Sequence, residues 1–128
     1  MRDDDDGALR GNTALNVIGP CLIAQVRGDL FGAALGAFQR ELLESIRRSQ
    51  VRGVILDISL VDLCDAEDFR ALRQTLQMAA LLGVRGVLVG LRPALVQWIV
   101  ESDVDLDGIE TSRSVQDAIA TLTPGSGR

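Results

Sequence analysis

Histidine, tyrosine and lysine are missing from this chain of 128 residues, and tryptophan occurs once, at Trp98. Without histidine the chain lacks the side chain most used as a general base near neutral pH and the commonest metal ligand, which lowers the expectation of an enzyme. Its two cysteines, Cys21 and Cys64, are too few and too separated for a disulfide framework or for a zinc site of recognisable spacing, and a reducing cytosol suits them. The 13 basic residues, all arginine, are outnumbered by 18 acids, and the net charge of −5 leaves no basic face of the kind nucleic acid requires. A membrane surface is disfavoured on the same ground. The longest apolar stretch, 79–91, is interrupted by Arg85 and is too short to span a bilayer. Nor does the amino terminus resemble a secretory segment, because Asp3 to Asp6 stand where positive charge and an apolar run would be needed.

What is present is enough apolar material, 47% of residues, for the core of one domain. Residues 1–12 and 123–128 carry charge, glycine and no periodicity, so they read as flexible tails flanking a domain at 13–122. Between Ala14 and Arg27 two apolar runs are split by Gly19 and Pro20, the pattern of a β-hairpin. Leu35, Phe38, Leu42 and Ile46 recur at helical spacing and predict a helix from about Ala33 to Gln50, with Arg47 and Arg48 near its C-terminus. Residues 51–58, VRGVILDI, read as a strand buried on both faces. A loop, SLVDLCD, follows, and then a second helix spans about Ala66 to Leu82 and ends at Gly83.

The remainder repeats the alternation. Gly86 to Leu91 predicts another buried strand, and Pro93 a third helix, with Leu95, Trp98 and Ile99 toward the core. A short strand near Gly108 to Glu110 and a helix from Val115 to Leu122, capped by Ser114, finish the chain. Strands alternating with helices require crossovers. The expected fold is therefore α/β, a mixed but mostly parallel sheet with an N-terminal hairpin and about four helices.

The stretch from Leu56 to Phe69, LDISLVDLCDAEDF, joins a strand, a loop and a helix start. Its pattern, strand-D-I-S/T-x-x-D-x-x-D followed by a helix, resembles the STAS domain. The flanks LNVIGPCLIAQVRGDL and GVLVGLRPALVQWIVESDVDLDGI resemble the stressosome branch of that family, with its RsbS-type scaffolds and RsbR-type co-antagonists. The resemblance covers about Ala14 to Leu122. It implies a non-catalytic, cytoplasmic signalling protein without cofactor. The implied partners are an RsbT-like switch kinase or an anti-sigma factor, together with RsbR-like STAS subunits in a homo- or hetero-oligomer. The implied contact region is Asp62 to Asp68, with Arg70 and Arg73 on the following helix.

In that family the residue after the last aspartate of the loop is a serine or threonine that the kinase phosphorylates. Here it is Ala66, which has no hydroxyl to modify. Either Ala66 holds the protein in its unphosphorylated, partner-holding state, or Glu67 and Asp68 supply a constant negative charge that stands in for phosphate. The first is favoured, because a carboxylate one or two positions along reproduces a phosphate dianion poorly. RsbR-like members carry a second hydroxyl before their first helix, and the matching segment, GDLFGAAL, lacks it.

The same residues admit plainer roles. Asp65 is placed to cap the second helix, and Glu67 and Asp68 lie where negative charge suits the helix dipole. Ser59 is either a relocated phosphosite or a hydroxyl bonded to nearby backbone. Cys64 has no evident cation beside it and reads as structural. Arg92 begins a helix after a strand, which is either an ordinary turn or an anion site without a glycine-rich signature. Competing functions are an accessory subunit of a lipid or anion transporter and a nucleotide-binding module using Arg92.

Overall fold

At Gly19 and Pro20 the chain reverses, with Gly19 in the left-handed region at φ +58°, a conformation open to a residue without Cβ. In the computed structural model, which describes residues 9–10, 13–29, 32–63, 65–101 and 108–123, this turn joins β2 (Thr13–Ile18) to β3 (Cys21–Asp29). The two strands pair antiparallel from Thr13↔Val26 to Ile18↔Cys21, as the hairpin pattern predicts. Before them lies β1 (Leu9–Arg10), antiparallel to β2 through Leu9↔Ala14 and Arg10↔Thr13. Part of the segment expected to be a tail thus belongs to the sheet. The other residues of both expected tails lie outside the described residues.

The succeeding elements are α1 (Gly32–Ser49), β4 (Gly53–Leu63), α2 (Ala66–Leu81), β5 (Arg85–Val89), α3 (Pro93–Glu101), β6 (Thr111–Ser112) and α4 (Val115–Leu122). The six strands lie in chain order, β1 to β6, and β3 to β6 run parallel to one another. Alternation along the central strands sorts side chains between two faces. Leu22, Ala24, Val26, Val54, Leu56, Ile58 and Leu88 pack with Leu35, Phe38, Leu42 and Ile46 of α1, with Phe69, Leu72 and Leu76 of α2 and with Ile99 of α3. Cys21, Ile23, Ile55, Val87 and Val89 pack on the opposite face with Ala118 and Leu122 of α4. Leu95 and Trp98 are only partly buried at the margin of the larger core, whereas Ile99 is fully enclosed.

Two expectations need correction. The stretch expected as a loop, 59–65, is strand as far as Leu63, because β3 keeps pairing with it through Arg27↔Leu60, Gly28↔Val61 and Asp29↔Leu63. Its polar residues disguise a strand that outruns its other neighbour. The last strand lies at Thr111–Ser112 and not at Gly108 to Glu110. Gly108 turns at φ +82°, and the Glu110 carbonyl accepts the Leu88 N–H at 2.8 Å, which delivers the next two residues to β5.

Candidate functional site

β4 pairs with β5 only from Gly53 to Asp57 and then continues alone on that side. Asp57, the last paired residue, is 7% exposed. A buried carboxylate requires donors, and three reach this one. Oδ1 accepts the Ser59 N–H at 3.0 Å and the Ser59 hydroxyl at 2.7 Å, while Oδ2 accepts the Gln25 side-chain amide at 3.4 Å from β3. Where β5 stops, Gly90 lies against Ser59 at φ +97°. The Arg92 guanidinium donates to the Val61 carbonyl of β4, and the Arg92 carbonyl accepts the Val96 N–H at 2.9 Å to begin α3. Arg92 therefore ties the α3 start to the free-running end of β4.

Immediately beyond, Asp65 caps α2. Its carboxylate accepts the Asp68 N–H at 2.8 Å, and the Asp68 carboxylate accepts the Asp65 N–H at 3.3 Å, forming a reciprocal capping box. The Asp65 carbonyl accepts the Phe69 N–H at 2.9 Å, and Phe69, fully buried, anchors the helix in the core. Ala66 is half-buried with its methyl group against the core, Glu67 is exposed, and Asp68 is 8% exposed. Burial, reinforced by the charges of Asp65 and Glu67, holds the Asp68 carboxyl above the ordinary carboxylate range despite the bond from the Asp65 N–H.

The expected contact residues divide into separate groups. Asp62 lies within β4 and not in a loop, and its side chain is outside the described residues, as is all of Cys64. Ser59 is half-buried, and its hydroxyl is bound to the Asp57 carboxylate, where a phosphate dianion would meet like charge. Asp68 lies in the first turn of α2, as its spacing predicts, and is turned inward in the capping box, which counts against the disfavoured reading of it as a stand-in for phosphate. Arg70 is exposed, but Arg73, one turn on, lies over a cleft bordered by Arg85, Ile109 and Glu110, away from the α1 side of α2. A different cleft, of about 330 Å³, opens between α1 and α2 and is lined by Leu35, Gly36, Gln39, Glu67, Asp68, Ala71 and Gln74.

Sequence reasoning missed Asp57, Gln25 and Gly90 as parts of the site. Asp57 stood in the motif as a charged residue inside an apolar strand, a signal that a buried partner set was needed. Gln25 and Gly90 carried no comparable signal. Among the described residues no group of three or more histidine, cysteine, aspartate or glutamate side chains is arranged to hold a metal, and no helix is long and apolar enough to cross a membrane.

Residues 12–118 match the family model of the STAS domain. The chain is 29% identical over 80 residues to the RsbT co-antagonist protein RsbRA of Bacillus subtilis (strain 168), an overlap of 62% of this chain and 29% of that protein. It therefore spans less than a third of the length of that relative. Among solved structures it superposes on a variant of RsbS from Moorella thermoacetica with a TM-score of 0.74 and 25% identity, covering 88% of this chain and 95% of the other. A chain from the stressosome, a signal integration and transduction hub, gives a TM-score of 0.68 and 25% identity over 84% of this chain and 94% of that one. The anti-sigma factor antagonist SpoIIAA in its unphosphorylated form, at 12% identity and a TM-score of 0.63, shares the fold over 83% of this chain and 92% of its own.

Proposed function

The chain belongs to the STAS domain family, on its RsbS/RsbR-type branch, and on that premise we propose that it is a non-catalytic cytoplasmic scaffold that holds a serine/threonine switch kinase or an anti-sigma factor among related STAS subunits. The observation that carries the reading is Ala66. It opens α2 at the position where the family resemblance calls for a phosphorylated hydroxyl, and it offers only a half-buried methyl group. No kinase can place a dianion there, so the partner is held without release by phosphorylation at this residue.

The neighbouring acids favour this over permanent mimicry of phosphate. Asp68 faces inward in the capping box, which leaves Glu67 as the one exposed carboxylate within two positions after Ala66. A single carboxylate has half or so of the charge of a phosphate and one acceptor oxygen fewer.

The test is a pull-down with size determination, mixing wild type, Ala66→Ser and Ala66→Asp proteins with a switch kinase and an RsbR-like partner. The expected result is binding by wild type and release by Ala66→Asp. Binding by Ala66→Ser alone, with wild type inert, would sink the reading in favour of the acidic mimic.

A further inference from the structure

The end of β4 outruns β5. Pairing with β5 stops at Asp57↔Val89, so from Ile58 to Leu63 no described strand pairs with β4 on that side. On the other side β3 follows it irregularly, with register shifts between Gln25 and Arg27 and again between Gly28 and Asp29. Each shift interrupts the ladder locally and bends the strand. Yet this stretch leads directly to Asp65, which caps α2, and to Ala66, which opens it. Two contacts reach it from the α3 side: Gly90 lies against Ser59, and the Arg92 guanidinium donates to the Val61 carbonyl. Val61 is buried in the larger core, shortly before the Asp65 cap. Arg92 is itself held by the helix it starts, because its carbonyl accepts the Val96 N–H at 2.9 Å. Pro93 follows with φ restricted by its ring. At this edge a guanidinium stands where β5 has ended.

We propose that Arg92 is a positioning residue for the partner-binding start of α2: by holding the β4 overhang at Val61 it fixes where Asp65 and Ala66 stand before a protein partner arrives. A surface fixed in advance loses less conformational entropy on association, so the arginine acts on affinity through order and need not touch the partner. Its rigid planar fork suits the task, whereas a lysine ammonium is a compact charge on a flexible stem. The consequence for binding rests on the function proposed above, while the positioning itself can be read on the chain without a partner.

The test compares wild type, Arg92→Met and Arg92→Lys, first by amide hydrogen exchange of the full-length free chain and then by titrated pull-down with the switch kinase. Methionine keeps an unbranched apolar stem without a donor, and lysine keeps an N–H donor. Arg92 is exposed, so neither substitution opens a cavity in the core. The Asp68 and Phe69 amides, bonded to the Asp65 carboxylate and carbonyl, are expected to exchange about fivefold faster in Arg92→Met, the scale of one hydrogen bond. The Asp117 amide, capped by Ser114 on α4, is expected to match wild type, which separates local opening from a general loss of stability. Arg92→Lys should recover part of the protection. Kinase affinity should follow the same order, falling about fivefold in Arg92→Met. Unchanged exchange at Asp68 and Phe69 in Arg92→Met overturns the proposal even where affinity falls, because the arginine then acts by direct contact. Exchange raised equally at Asp117 overturns it too, as a mere weakening of the fold. Faster local exchange with affinity intact overturns the role in binding. A wild type that binds nothing refutes the proposed function, and the exchange data then decide the positioning alone.

Discussion

Gly90 and Ser59 are in contact through backbone: a Cβ added to Gly90 would stand 2.5 Å from the Ser59 nitrogen and 2.7 Å from its Cα. The contact occurs where β5 has ended and β4 runs on, so the glycine closes the sheet over the Asp57 carboxylate.

Gly90→Ala should therefore be among the more damaging glycine substitutions in the chain. It combines φ +97° with a collision against backbone that cannot swing away, and the expected loss is about 2–4 kcal/mol. Gly19→Ala is the control, with φ +58° but nothing within 4 Å, and should cost about 1 kcal/mol. Urea denaturation of the two variants checks the difference, and equal midpoints would show that the Ser59 contact does not matter.

Asp65→Ala should destabilise by about 0.5–2 kcal/mol through loss of the α2 cap. The effect should exceed that of Ser114→Ala, whose hydroxyl accepts the Asp117 N–H at 3.0 Å at an exposed helix start. At Asp65 the reciprocal bond with buried Asp68 is disturbed as well. Because Phe69 follows in the first turn, amide exchange around Phe69 should report local opening in Asp65→Ala and not in Ser114→Ala.

The raised pKa of Asp68 sets a pH dependence. Its folded value lies above the reference of 3.8, so between those values the folded protein holds the proton more tightly than the unfolded chain. This contribution favours folding at acid pH and is lost as pH rises through the folded value. Asp68→Asn keeps an acceptor for the Asp65 N–H but cannot ionise, so its urea midpoint should lack that decline on going from acid toward neutral pH. Parallel profiles for the two proteins would refute the assignment.

Much of the architecture could be read from the chain because it depends on period and punctuation. The hairpin around Gly19-Pro20, the α1 stripe from Leu35 to Ile46, the α2 end near Gly83 and the Ser114 cap are all local features, and each stands where the spacing predicts it. The end of β4 was not legible, since Ser59, Leu60 and Val61 are held extended by Arg27 and Gly28, residues more than thirty positions away. Asp68 shows the same limit from the other side. Its place in the first turn of α2 follows from sequence, but its burial depends on where α1 lies.

The amino-acid sequence by itself determined the alternation of strands and helices, the family and the missing hydroxyl at Ala66, because each of these is a property of local spacing or of one side chain's covalent chemistry. Tertiary structure alone decided that Asp57 is satisfied by Ser59 and Gln25, that Arg92 donates to the Val61 carbonyl, and that Glu67, Gln39 and Gln74 share a cleft. Those groupings join residues from different strands and helices, and their hydrogen bonds exist only once packing of the apolar faces has set the distances between elements.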